Sequence, residues 1–248
     1  MLSSDKLKQQ SRFKTWADTN PEEMKCFLGL LLWMGLVHMP TIDSYWSNIC
    51  LYRNSVTEVM TRNRFQLLLR AWHFADNEAE NTSKIRKIDA FVKMLVTKFT
   101  SAKEPGRHVV IDKSMIPFRG RLSFRQYIPG KAHKFFKLWD PSGYTYNISI
   151  YSGKLDTRQD DLASTVVLQL MDKYGSAGRT LCTDNFYTSV RLAEKLLQQQ
   201  THLVGTLRSN RRGLPKSITT AQLKKGDVVA VENNAGITVL KWKIKGMY

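Results

Sequence analysis

The sequence predicts a mixed α and β protein, with an all-helical region over residues 1–104, an α/β core over 105–207 and a short β-rich segment over 208–248. Three observations lead there. Apolar residues recur at helical spacing through the first hundred positions; the period turns strand-like after a linker at 101–107 that contains Pro105 and Gly106; and the next elements follow in the order strand, strand, strand, helix, strand, helix, strand.

Residues 1–14 are polar and carry no periodic signal. Asn20-Pro21-Glu22-Glu23 predicts a helix start: Asn caps, Pro already has the φ of a first helical residue, and the acids suit the positive end of the helix dipole. Met24, Phe27, Leu28, Leu31 and Leu32 then form a core face, and Pro40 limits continuation. A second helix over 61–72 turns Phe65, Leu68, Leu69 and Trp72 inward and Arg62, Arg64 and Arg70 outward. A third over 85–99 aligns Ile85, Ile88, Phe91, Val92, Leu95 and Phe99, with a polar loop at 78–83 before it. Trp33, Trp46 and Trp72 are assigned to the core.

The β-branched run 108–111 predicts a buried strand that ends on Asp112, where loop and solvent begin. A second strand covers 134–139, Asp140-Pro141-Ser142-Gly143 is a turn, and 144–151 alternates as a third strand. Residues 157–161 lead into a helix through about 174, with Leu162, Val166 and Leu170 inside. Strand 179–183 ends on Asp184, a helix spans 189–199, and 202–207 is the fifth strand. A three-stranded meander extended through helical crossovers is the order of an RNase H-like core. After a basic loop at 208–215, segments 228–232 and 236–244 predict a hairpin around Asn233-Asn234-Ala235-Gly236.

A net charge of +17 makes the surface attractive to nucleic acid or to an anionic membrane, and charge alone does not choose between them. The longest apolar run, 26–37, is too short to cross a bilayer, and no cationic start leads into a cleavable signal; an intracellular protein with no membrane partner is expected. Cys26, Cys50 and Cys182 are odd in number and far apart, which suits neither a disulfide framework nor a zinc pattern, with Cys182 expected as a buried strand residue. His38, His73, His133 and His202 are too scattered for a metal cluster.

The chemistry concentrates in 108–140. Asp112 is followed by Lys113, Arg119, Arg121, Arg125, Lys131, Lys134 and Lys137, interleaved with Phe118, Phe124, Tyr127, Phe135 and Phe136, and no second acid occurs before Asp140. One carboxylate facing cations and rings predicts a metal-binding acid beside a polyanion track, whereas a solvated charged face would not need the rings. Asp112 and Asp184 each end a strand; if those strands are parallel neighbours, the carboxylates meet at one sheet end and share a divalent ion. Either acid alone would be read as a strand-end cap or an arginine partner. Together they would supply hard oxygen ligands of the kind a two-metal phosphodiester site needs, a reading preferred for the pair because both acids lie in family-like sequence blocks.

Residues 111–121, IDKSMIPFRGR, with Phe124-Arg125, Tyr127, Pro129 and Lys131, resemble the block around the first catalytic Asp of piggyBac transposases. Residues 182–189, CTDNFYTS, are similar to the block around their second Asp, and 205–215, with Gly205-Thr206, Arg208, Asn210-Arg211, Gly213 and Pro215, also match. Weaker matches at Phe27, Tyr45-Trp46 and 73–77 extend the resemblance over almost the whole chain.

The resemblance implies an N-terminal helical region for dimerisation and DNA binding, a catalytic core, and in 208–248 the start of an insertion domain. It implies Asp112 and Asp184 as catalytic ligands of Mg2+ or Mn2+, with Arg119, Arg121, Arg125, Lys131, Lys134, Arg208, Asn210, Arg211 and Arg212 contacting double-stranded DNA. A homodimer and a nuclear location go with that substrate. In the family a third Asp completes the metal site beyond the insertion. After Asp184 this sequence offers only Glu194, Asp227 and Glu232. An incomplete triad and a chain inactive alone are therefore expected. The alternatives are a truncated or domesticated copy that binds DNA or a partner transposase without catalysis, and an unstable fragment. The family's cysteine-rich zinc domain has no counterpart, so zinc is not expected.

Overall fold

The computed structural model describes residues 11–76, 83–116, 133–151 and 162–244. The chain divides into two compact units at 74/75.

In the first unit, Asn20 caps helix α1 (Pro21–Leu36), its side chain accepting from the Glu23 amide at 2.8 Å. Short 3-10 turns follow, then α2 (Val56–Val59) and α3 (Arg62–Ala71), the latter capped by Thr61. The core joins Phe27 and Leu30 of α1 to Tyr45, Val56, Phe65 and Leu68, with Trp16, Trp33, Trp46 and Trp72 packed around it. Two of the expected inward leucines are corrected: Leu28 is 42% and Leu32 75% exposed, and Leu30 is buried instead. Helix α1 is apolar on most sides, so spacing alone could not select the face that packs.

A bidentate ion pair fastens this unit. Arg64 donates through Nε and Nη2 to the two Glu23 oxygens, each at 2.6 Å, and through Nη1 to the Ala17 carbonyl at 2.8 Å, while its guanidinium lies 5.0 Å from the Trp16 ring centre. The hydrogen bonds from Arg64 hold the Glu23 carboxyl at about 2, below its ordinary 4.5. A folded-state value below the unfolded one stabilises at pH above the unfolded value, and that stabilisation is lost as pH falls through the folded value. Glu23→Gln is expected to cost on the order of 2 kcal/mol at neutral pH. In thermal melts the gap from wild type should close between about pH 4.5 and pH 2; a gap that stays constant over that window rules out the ion pair as its origin.

The second unit begins with α4 (Arg86–Ala102), which runs through the start of the expected linker. Its apolar stripe is only half-buried, and Ile88 is exposed. The Phe99 carbonyl of α4 accepts from the Tyr144 hydroxyl at 2.8 Å, and Thr100 Oγ1 bonds the Tyr174 hydroxyl at 3.0 Å. The sheet holds β1 (His108–Ile116), β2 (His133–Trp139), β3 (Thr145–Ile150), β4 (Thr180–Thr183) and β5 (His202–Gly205) in the order β3-β2-β1-β4-β5. Strands β1 to β3 are an antiparallel meander, and β4 and β5 add in parallel through α5 (Leu162–Met171) and α6 (Val190–Gln198). This is the expected RNase H-like order. Val109, Ile111, Phe136, Leu138, Leu181 and Tyr187 form its centre, with the apolar faces of α5 and α6.

The β2–β3 turn is built on Asp140, which is almost buried. Its carboxylate accepts from Lys103 Nζ at 2.7 Å, from the Tyr146 hydroxyl at 2.8 Å, and from the Ser142 amide and hydroxyl. These donors, Lys103 above all, hold its carboxyl far below the usual carboxylate range. The last part of the chain is α7 (Lys216–Thr219) and a hairpin of β6 (Val228–Glu232) and β7 (Thr238–Trp242). Lys241 Nζ donates to the Thr219 and Ala221 carbonyls, tying the hairpin to α7.

Candidate functional site

The pairing of β1 with β4 sets the geometry of the acids. The parallel register ends at Ile111 opposite Thr183, both buried, and the next residue on each strand is Asp112 or Asp184. The carboxylates therefore stand at equivalent positions at one edge of the sheet centre, as strand-end logic required, and both are exposed. One expectation is corrected. Asp112 does not end its strand, because β2 keeps β1 extended to Ile116, with Asp112 opposite Lys137 and Ile116 opposite His133. The parallel ladder ends at the acid while the antiparallel one continues past it.

Asp112 Oδ1 accepts from the Lys113 amide at 2.6 Å, and Asp184 Oδ1 from the Phe186 amide at 2.9 Å. Among the described residues neither carboxylate forms a salt bridge, so one oxygen of each remains for a hard cation. Cross-strand neighbours project from the same face, which puts Lys137 beside Asp112, and Lys113 Nζ lies 5.6 Å from the Phe186 ring centre. Below the acids, the buried Tyr187 hydroxyl has no hydrogen-bond partner among the described residues. Burial first, and then the negative charges of Asp184 and Asp112, push its phenol well above the ordinary value. One buried hydroxyl thus feels both carboxylates.

The segment after Asp184 is locked from beneath. The Asp184 carbonyl accepts from the Tyr187 and Thr188 amides and from Thr188 Oγ1, which also bonds Thr183 Oγ1 at 2.7 Å. Gly205, opposite Thr183 on β5, permits this packing: a Cβ there would come within 2.3 Å of Thr188 Oγ1 and 2.5 Å of the Thr183 carbonyl oxygen. Ser189 then caps α6 by accepting from the Leu192 amide.

Beside this loop opens a groove of about 810 Å3 lined by Arg191, Glu194, Arg208, Asn210, Arg211 and Arg212, with Phe186, Ser164 and Asn233. The structure thus gathers all four expected contact residues of the 208–212 loop into one wall. Arg191 was missed from sequence; it lies on the exposed face of amphipathic α6, and the only signal was a cation on that face. Arg119, Arg121, Arg125 and Lys131 lie outside the described residues, as does the side chain of Lys134.

Among the described residues none of the three acids after Asp184 joins the pair. Glu194 is exposed on α6, Asp227 accepts from the Lys224 amide in the turn before β6, and Glu232 accepts from Thr238 within the hairpin. Among the described residues no three His, Cys, Asp or Glu side chains cluster. Cys182 is half-buried rather than buried, because its strand face is incompletely covered, whereas Cys26 and Cys50 are exposed. No helix among the described residues is long and apolar enough to cross a membrane.

A family model described as Transposase IS4 matches residues 3–247. Human PiggyBac transposable element-derived protein 3 is 26% identical over 235 residues, covering 89% of this chain and 40% of that protein. Human PiggyBac transposable element-derived protein 5 is 26% identical over 236 residues, covering 86% of this chain and 45% of that protein. A cryo-EM structure of the piggyBac transposase synaptic complex with hairpin DNA superposes with a TM-score of 0.86 at 26% identity, covering 98% of this chain and 53% of that one. The chain spans less than half the length of these two human relatives.

Proposed function

We propose, because this chain belongs to the piggyBac transposase family, that it binds DNA along the arginine-lined groove, with Asp112 and Asp184 as carboxylate ligands of a divalent cation at the groove's edge. The observation that carries the reading is the register that places both acids at equivalent strand positions, with Asp184 directly before a segment that contacts Arg208 and Arg211. Hard carboxylate oxygens suit Mg2+ or Mn2+, which would polarise a phosphodiester and activate a hydroxyl there. Arg191, Arg208, Arg211 and Arg212 supply positive charge for backbone phosphates, and Asn210 an amide that can both donate and accept. Strand cleavage and transfer belong in this reading to a site in which a third acid joins the pair, and a nuclear location follows from the DNA ligand.

The test is fluorescence anisotropy of the 248-residue chain on a labelled duplex. Four phosphate contacts predict an affinity that falls roughly a hundredfold between 50 and 200 mM salt. Salt-independent binding, or none, refutes the reading. A second reading, DNA binding without cleavage by this chain alone, is favoured by the absence of a third acid beside the pair among the described residues. Incubating the same duplex with Mg2+ or Mn2+ should yield bound but uncut DNA. Cleavage that disappears in both Asp112→Asn and Asp184→Asn would instead show that a complete site is already present.

A further inference from the structure

Immediately after Asp184, Asn185 meets the basic loop with both its side chain and its backbone. Arg208 Nε donates to Asn185 Oδ1 at 3.1 Å, and Arg211 Nη2 donates to the Asn185 carbonyl at 3.3 Å and to the Phe186 carbonyl at 2.5 Å. The acceptors are neutral. An acidic side chain at 185 would compete with phosphate for the guanidinium charge, whereas an amide oxygen fixes the orientation of Arg208 without cancelling its charge. A free arginine loses considerable rotamer entropy when it closes on a phosphate, and a group already held in place loses less. Arg208 gives only its Nε to Asn185, so its outer fork remains for a ligand.

The Asp184 loop is itself fixed by the Thr183 and Thr188 hydroxyls and the close approach of Gly205. Asn185 therefore transmits that rigidity across to the groove wall.

We infer that Asn185 is a positioning residue whose side chain holds Arg208 ready for a DNA backbone phosphate beside Asp184. The inference rests on the DNA-binding reading above and adds to it the residue that sets the groove's geometry.

A double-mutant cycle on duplex affinity in the full chain tests it. Asn185→Ala and Arg208→Ala should each weaken binding about tenfold and lower the steepness of the salt dependence by about one phosphate contact. The double variant should be no weaker than the single ones, because both remove the same ordered contact. Asn185→Asp keeps the acceptor, and so the fold of the loop, but should also bind at least about tenfold more weakly because its charge engages Arg208. Wild-type binding with an unchanged Asn185→Ala or Asn185→Asp variant overturns the inference and leaves the DNA reading standing, and so does a double variant with fully additive losses. A wild-type chain that does not bind DNA fails the underlying reading itself.

Discussion

Replacing Gly205 by alanine is expected to lower the melting temperature of the second unit by about 6–12 °C, corresponding to a loss of about 3 kcal/mol. The new Cβ would sit 2.3 Å from Thr188 Oγ1 and 2.5 Å from the Thr183 carbonyl oxygen, so β4, β5 or the segment after Asp184 must move. No flexible side-chain tip stands there to give way: of the three nearest atoms one is backbone, and the other two are the buried Thr188 and Thr183 hydroxyls, bonded to each other, with Thr188 also bonded to the Asp184 carbonyl. Gly106→Ala is the matched control. Nothing lies within 4 Å of a Cβ at that position, so its melting temperature should stay near wild type. Because Gly205 abuts the segment that carries Asp184, the same substitution should weaken cation binding; a Gly205→Ala chain as stable as wild type would show that the neighbouring segments yield to a methyl group at little cost and that glycine is not required there.

The second large effect is expected in Mn2+ binding followed by electron paramagnetic resonance. The wild-type chain should take up the ion, each of Asp112→Asn and Asp184→Asn should weaken it roughly tenfold or more, and the double variant should leave no specific site. Glu194→Gln should have no effect, because Glu194 lines the arginine groove rather than joining the acids. If Glu194→Gln weakens binding as much as the aspartate variants do, the cation is held by the groove and the strand-end pair is not its site. Thermal melts of the same variants separate ligand loss from unfolding: both acids are exposed, and their amidation should leave the fold intact.

Much of this architecture was legible in the residue order. Alternation and β-branching located the strands, Asn20-Pro21 located the first cap, and the arrangement of three strands followed by helical crossovers matched the sheet found. The two acids were legible for a simple reason. A charged residue directly after a buried β-branched or threonine-ended run turns toward solvent, and the parallel pairing of β1 with β4, which ends at Ile111 and Thr183, then aligns the two positions.

The sequence by itself determined what depends on local spacing: the order of elements, the first helix cap, the placement of Asp112 and Asp184 after buried runs and the positive charge of the 208–212 loop. Only the tertiary structure decided what depends on residues far apart meeting. It selected Leu30 over Leu28 and Leu32 as the buried residue of α1, because an all-round apolar helix carries no preferred face until a neighbour covers one. It extended β1 past Asp112, because the cross-strand ladder to β2, 20 or so residues on, sets the end of that strand. It also brought Arg191 of α6 to the groove and set Gly205 against Thr183 and Thr188, contacts between segments whose own patterns hold no sign of one another. Packing and hydrogen bonding between distant segments are properties of the folded chain, and no local period encodes them.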